Sequence, residues 1–128
     1  MKHDPLADTF ATIKNAESIG KKHCQVQATG LVKGVLKVIE ENRFIEGFEL
    51  VNDGKGGKFK VRLKGEINDC NVIRPRFSIT KGDMIKWEKK YLPSQRLGIL
   101  IMTTPKGIVS QKEAVRLNTG GKLLGFVY

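Results

Sequence analysis

The sequence predicts an α+β fold of two small packed lobes: an N-terminal αβαββ lobe over residues 1–66 and a C-terminal, mainly β lobe with short helices over residues 67–128. Three observations predict it. Two capped amphipathic segments fill the first third. A Gly-rich polar tip at 52–57 then separates two alternating segments. A polar stretch at 65–71 is the expected hinge, and beyond it the segments read as strands with short helices between them. At 128 residues the chain can bury a core without disulfide or metal staples.

Asp4 before Pro5 is a helix start, because the carboxylate accepts from free backbone donors and Pro has a suitable φ at the first helical position. Leu6, Phe10 and Ile13 form one apolar stripe with Asp8, Thr12 and Asn15 roughly opposite, and Gly20 follows, so a helix is predicted over 5–18. Cys24 to Ala28 alternate as a short strand. Thr29 precedes a second helix whose buried face is Leu31, Val32, Val35, Leu36, Val38 and Ile39, ending at Asn42. Phe48 to Val51 and Lys58 to Lys64 flank Asn52-Asp53-Gly54-Lys55-Gly56-Gly57, a hairpin signal. Lys58, Lys60, Arg62 and Lys64 alternate with Phe59, Val61 and Leu63. That basic face is either an RNA surface or, more commonly, the solvated side of a half-covered sheet.

Val72 to Thr80 reads as a strand carrying Arg74-Pro75-Arg76, with Pro75 favouring an edge or strand start. Residues 81–92 read as a short helix or turn that packs Trp87 inward. Gly98 to Met102 is a continuous apolar run, as in a strand buried on both faces. It delivers Thr103-Thr104-Pro105-Lys106-Gly107 on a rigid element. Ser110-Gln111-Lys112-Glu113 is a capping box that opens a short helix marked by Ala114, Val115 and Leu117. Asn118-Thr119-Gly120-Gly121-Lys122 then leads to a closing strand.

The charge narrows the function. Lys and Arg number 23 against 13 Asp and Glu, a net +10, the electrostatic footprint common among nucleic-acid binders. The two Gly-bearing tips carry hydroxyls, which both donate and accept toward phosphate, ribose or base edges. Arg116 and Lys122 stand beside them as phosphate anchors, and Gly120-Gly121 lets the backbone turn and approach a partner. Neither tip holds an acid, His or Cys placed for bond breaking. The Gly cluster at 54–57 is no phosphate loop, because Gly, four residues, then Gly-Lys-Ser/Thr occurs nowhere. The terminal Gly125-Phe126-Val127-Tyr128 lacks the basic-Gly-aromatic start of an RNA-recognition motif. Cys24 and Cys70 suggest neither a disulfide framework nor a zinc site, and a reducing, cytoplasmic setting is expected, with no membrane span, cofactor or metal. The rival classes are an enzyme holding phosphates on the basic face and an adaptor for acidic proteins or membranes.

With these residues in hand, the chain resembles the small-subunit ribosomal protein eight family in its archaeal and eukaryotic cytoplasmic form. The likeness runs through Asp4-Pro5-Leu6-Ala7-Asp8, Asn15-Ala16-Glu17, Phe44-Ile45-Glu46-Gly47-Phe48-Glu49, Pro75-Arg76-Phe77, Lys86-Trp87 and Leu92-Pro93-Ser94. It ends in Thr103-Thr104-Pro105-Lys106-Gly107-Ile108 and Thr119-Gly120-Gly121-Lys122-Leu123-Leu124-Gly125-Phe126. The resemblance implies an α/β and a largely β lobe. It also implies a structural, non-enzymatic protein that grips a helix in the central domain of small-subunit rRNA, supports assembly beside neighbouring small-subunit proteins, and is a monomer when free. It implies the main RNA contact at Thr103, Thr104 and Pro105 with Lys106, and further contact around Arg116, Asn118, Thr119, Gly120, Gly121 and Lys122. A smaller contact falls on the first helix, at Thr12, Lys14 and Asn15. Two departures stand out: Pro105 occupies a position that is often Ser in the family, and Lys122 stands where bacterial members carry an acid.

Overall fold

In a computed structural model, the described residues are 4–51, 54, 57–74, 76–93 and 97–128, with Lys81 described by its backbone alone. The proposed tip residues Asn52, Asp53, Lys55 and Gly56, and also Pro75 and Ser94, lie outside them. The first helix, α1 (Pro5–Ser18), starts as expected: Asp4 Oδ1 accepts from the Leu6 and Ala7 amides at 3.1 and 3.3 Å. After β1 (His23–Gln27), α2 (Gly30–Glu41) starts at Thr29, whose hydroxyl accepts from Val32 N–H at 3.1 Å. Then come β2 (Ile45–Val51), β3 (Lys58–Leu63), β4 (Cys70–Val72) and β5 (Ser78–Ile79). A 3-10 turn (Lys81–Asp83), α3 (Met84–Tyr91), β6 (Ile99–Thr104), β7 (Gly107–Ser110), α4 (Gln111–Arg116) and β8 (Gly121–Val127) complete the chain.

Two antiparallel sheets result among the described residues, a three-stranded one in the order β1-β3-β2 and a five-stranded one in the order β4-β8-β6-β7, with β5 also on β8. The inner face of the first sheet packs Cys24, Val26, Phe59, Val61 and Leu63 against Leu6, Phe10, Ile13, Val35 and Ile39 of α1 and α2. The same core takes in Ile99, Ile101, Leu124 and Val127 from the second sheet. Leu100, Met102 and Leu123 point the other way, into a second core with Ile73, Ile79, Met84, Leu92 and Ala114. The apolar run in β6 is therefore buried on both faces, as alternation across a doubly covered strand requires.

Glycine sets the closeness of two of these contacts. A Cβ on Gly34 of α2 would meet Ile108 Cδ1 at 2.5 Å, so the helix lies directly on β7. A Cβ on Gly125 would meet the Phe10 ring at 2.7 Å, which seats α1 on β8.

Two expectations are corrected. The single strand over Val72 to Thr80 is two short pieces, β4 and β5, which meet β8 end to end along one edge: Cys70 pairs Val127 and Ser78 pairs Lys122. Between them the chain leaves the ladder, and Arg74 turns out to an ion pair with Asp4 at 2.7 Å. Second, Gly107–Ser110 is a strand rather than a link, so β6 and β7 form a hairpin whose two-residue tip is Pro105-Lys106. The short helix marked by Ala114, Val115 and Leu117 forms as α4, which seats on Ala114 and Gln111 and leaves Val115 47% exposed. Trp87 is half-buried, stacked between Phe77 (centroids 4.8 Å apart) and Tyr91 (6.2 Å), so its ring packs against its own protein as expected.

Candidate RNA-binding surface

The register of the second sheet builds the site. Thr103 pairs Ile108 on one side and Lys122 on the other, and Lys122 in turn pairs Ser78. Residues directly opposite on antiparallel strands share a face, so Ser78, Lys122 and Thr103 form a polar row ending against Ile108. Ser78 was not among the sequence candidates; only the β5 register reveals it. The Lys122 ammonium and the Thr103 hydroxyl make no ion pair or side-chain hydrogen bond among the described residues, and Lys122 is exposed. These two groups are available to a partner.

Thr104 differs from Thr103 although the two are adjacent. Both lie in β6 rather than in the following loop, and consecutive strand residues face opposite sides of a sheet. The Thr104 hydroxyl donates to the Gly107 carbonyl at 2.8 Å and accepts from Lys106 N–H at 3.1 Å. It shapes the hairpin tip, as short hydroxyl side chains do when they bond the backbone two or three residues on. Pro105 and Lys106 form the exposed tip, and Lys106 Nζ donates to the Leu117 carbonyl at 2.9 Å. That bond caps the C-terminus of α4, where backbone carbonyls lack partners and a cation is favoured.

The second tip is also engaged internally. Asn118 sits at φ 57, the left-handed region, with its N–H on Val115 O and the Thr119 N–H on Ala114 O, both at 3.0 Å. This is the helix-terminating arrangement usually given to Gly, which Asn tolerates. The Thr119 hydroxyl donates to the Gly120 carbonyl at 3.0 Å. Gly120 and Gly121 do not have positive φ. Their missing side chains are filled by the protein itself: a Cβ on Gly120 would meet the Ile79 carbonyl at 2.6 Å, and one on Gly121 would overlap the Thr103 carbonyl oxygen. The close approach expected of a partner is thus made by neighbouring strands.

Arg116 is likewise committed. Its guanidinium forms a two-point ion pair with Glu113, with Nε on Oε2 at 2.9 Å. This contact raises the pKa of Arg116 and lowers that of Glu113. It also alters the expected capping box: Ser110 Oγ does accept from Glu113 N–H at 3.3 Å, but the Glu113 carboxylate turns to Arg116 instead of back to Ser110. Gln111, read in sequence only as part of that box, is fully buried and accepts from Leu100 N–H at 2.8 Å. It replaces the ladder partner that β7 no longer supplies there.

The three residues on the first helix do not act together. Thr12 and Asn15 line a groove of about 300 Å³ with Ile19 and Gln25. Lys14, about 200° away from Thr12 around the helix, pairs with Asp69 at 2.8 Å. The Lys14 bond holds the Asp69 carboxyl below its usual range and raises the Lys14 ammonium. Asp69 also accepts from the Tyr128 hydroxyl at 3.3 Å. Tyr128 and Lys122 stand at opposite ends of β8, about 20 Å apart at strand rise, so Lys14 is not continuous with the polar row. Cys24 and Cys70 are buried free thiols, and burial raises them to about 11 and about 12.

Among known families, the one described as Ribosomal protein S8 matches residues 4–128. The chain is 49% identical to "Small ribosomal subunit protein uS8" of Methanococcoides burtonii over 126 residues, covering 98% of this chain and 97% of that protein. It is 46% identical to the protein of the same name from Picrophilus torridus and 47% identical to that from Archaeoglobus fulgidus, with both chains fully covered in each case.

Proposed function

Because the chain belongs to the ribosomal protein S8 family, of archaeal type, we propose that the polar row on its second sheet is the part that holds rRNA. The protein is a structural constituent of the small ribosomal subunit, an rRNA-binding component of the translation machinery and not an enzyme. The finer proposal is that it grips a helix in the central domain of small-subunit rRNA, supports subunit assembly in the cytoplasm, and is a monomer when free. In this proposal residues 67–128 carry the principal contact and residues 1–66 buttress it.

One observation carries the proposal: Thr103 and Lys122 are neighbours on one face, and the fold leaves both polar ends unused while engaging those around them. A hydroxyl beside an ammonium suits an RNA minor groove, where a 2′-OH and a phosphate lie close together. Pro105 and the two free donors of Lys106 flank the row at the hairpin tip. Arg116, Asn118, Thr119, Gly120 and Gly121 serve mainly by holding the second tip in place. Thr12 and Asn15 are the smaller contact, and Lys14 holds α1 to Asp69.

Fluorescence anisotropy with a labelled central-domain helix tests this. Thr103→Val should weaken binding by about 1–3 kcal/mol, the cost of an interface hydrogen bond left unmade. Lys122→Gln should weaken all RNAs alike and reduce the salt slope by about one. Wild-type affinity in both variants would refute the proposal.

A further inference from the structure

The outer face of the first sheet has no element packed on it among the described residues, since α1 and α2 both lie on the inner face. Register aligns its side chains in rows: Gln27 with Lys58, Gln25 with Lys60 and Glu49, and His23 with Arg62. Where this face meets the end of α1, a cleft of about 470 Å³ opens, lined in part by Lys21, Lys22, Lys60 and Lys64.

Two carboxylates, Glu17 and Glu46, share the cleft lining with Lys21, Lys22, Lys60, Arg62 and Lys64, and offset its charge only in part. Glu17 accepts from Ile67 N–H at 3.0 Å and is turned to the backbone. Glu49 stands 3.8 Å from Arg62. Glu46 makes no ion pair among the described residues, so two carboxylates stand in the cleft lining against five cationic side chains. Lys21, Lys22, Lys58, Lys60 and Lys64 have no carboxylate within ion-pair distance among the described residues. A folded protein gains nothing in stability from such uncompensated like charges on one surface, because they repel.

We infer that this face and its cleft form a second RNA-binding surface, which follows a phosphate backbone without reading sequence and engages a segment of rRNA other than the helix held by the polar row. The array suits a polymer better than a small anion. Alternate residues of a strand are about 7 Å apart, so Lys58 carries the charge of the cleft residue Lys60 further along β3, over a line longer than one phosphate group. Gln25 and Gln27 beside them add amide donors and acceptors for ribose hydroxyls. The inference rests on the rRNA-binding role proposed above, but concerns residues on a different sheet.

The test compares two RNAs: the central-domain helix alone, and a longer small-subunit fragment that contains it. The triple variant Lys58→Gln, Lys60→Gln, Lys64→Gln should bind the short helix as wild type does. On the long fragment its log-log salt slope should fall by about 2 to 3, at about 0.7–0.9 for each phosphate that is no longer neutralised. Lys122→Gln should lower the slope on both RNAs by about one. Loss of that Lys122 effect alone would sink the role of the polar row and leave this surface standing. An unchanged slope for the triple variant on the long fragment, or an equal loss on both RNAs, overturns the inference. So does polyglutamate displacing the long fragment from wild type, but not from the triple variant, at matched charge, which would point to an acidic protein. Hydroxyl-radical probing from an iron chelate on Lys60→Cys gives an independent readout: cleavage outside the short helix supports the surface, and none outside it overturns it.

Discussion

Replacing Gly121 by Ala distinguishes two explanations of the second tip. If Gly121 is Gly so that RNA can approach, Ala will cost affinity and leave stability alone. If it is Gly because β6 lies too close, Ala will cost stability first. The geometry favours the second: the added Cβ would overlap the Thr103 carbonyl oxygen and stand 2.9 Å from Thr104 Cγ2 and 3.0 Å from the Thr103 carbonyl carbon. Backbone atoms in a ladder cannot swing aside, so β8 must separate from β6 at this end. Overpacking of this kind costs about 1–3 kcal/mol, and a broken ladder hydrogen bond adds about 1 kcal/mol. A total of about 2–4 kcal/mol corresponds to a melting point lower by about 6–15 °C for a domain of this size. Gly30→Ala is the control, since no atom lies within 4 Å of its Cβ site and its φ is not positive. That change should be neutral or raise stability by up to about 1 kcal/mol. Thermal melts by circular dichroism, alongside anisotropy with the central-domain helix, decide the matter. A Gly121→Ala protein that melts like wild type yet loses RNA affinity would refute the packing argument.

Thr104→Val removes the hydroxyl that closes the hairpin tip and should cost about 1–2 kcal/mol of stability, whereas Thr104→Ser should melt near wild type; equal melting points would show that the bonds to Gly107 and Lys106 are immaterial. Gln111→Leu strips the buried Leu100 amide of its acceptor, at a cost of about 1–3 kcal/mol, and hydrogen exchange at Leu100 should accelerate selectively. Because Asp69 is depressed by Lys14, its contribution to stability is complete above its ordinary value of 3.8 and is lost as pH falls through the lower, folded value. Melting curves of Asp69→Asn should therefore converge on wild type only at strongly acidic pH, and a constant gap down to pH 2 would contradict the pairing.

The helices were legible because their signals are local. Asp4-Pro5 and Thr29 announce α1 and α2, and the apolar spacing at Phe10, Ile13, Val35 and Ile39 places their buried faces. The doubly buried β6 announced itself by composition. The missed β7 has only four residues, and its last, Ser110, was claimed by the capping-box pattern, so its pairing with β6 left no trace in the chain. The split between β4 and β5 arises where Arg74 leaves the ladder for Asp4, a partner 70 positions away. The candidate site was legible as a cluster of residue types, not as a set of available atoms. Thr103 and Thr104 look alike in sequence, yet one hydroxyl is free and the other holds a turn. Lys106 and Lys122 look alike too, yet only one caps a helix. Such differences depend on which donors the fold consumes, and that is settled by contacts between segments.

The bond from Lys106 to the Leu117 carbonyl bears on the thermodynamics of association. It joins the hairpin tip to the end of α4, while Gly121 is seated on Thr103, so the two tips are tied to each other before RNA arrives. Ordering a flexible side chain on binding costs about 0.5–1.5 kcal/mol, and a surface already ordered avoids much of that cost. Cutting the tether with Lys106→Met should therefore add an unfavourable binding entropy in calorimetry, beside the loss of the free Lys106 donors, with the enthalpy of the Thr103 and Lys122 contacts largely retained.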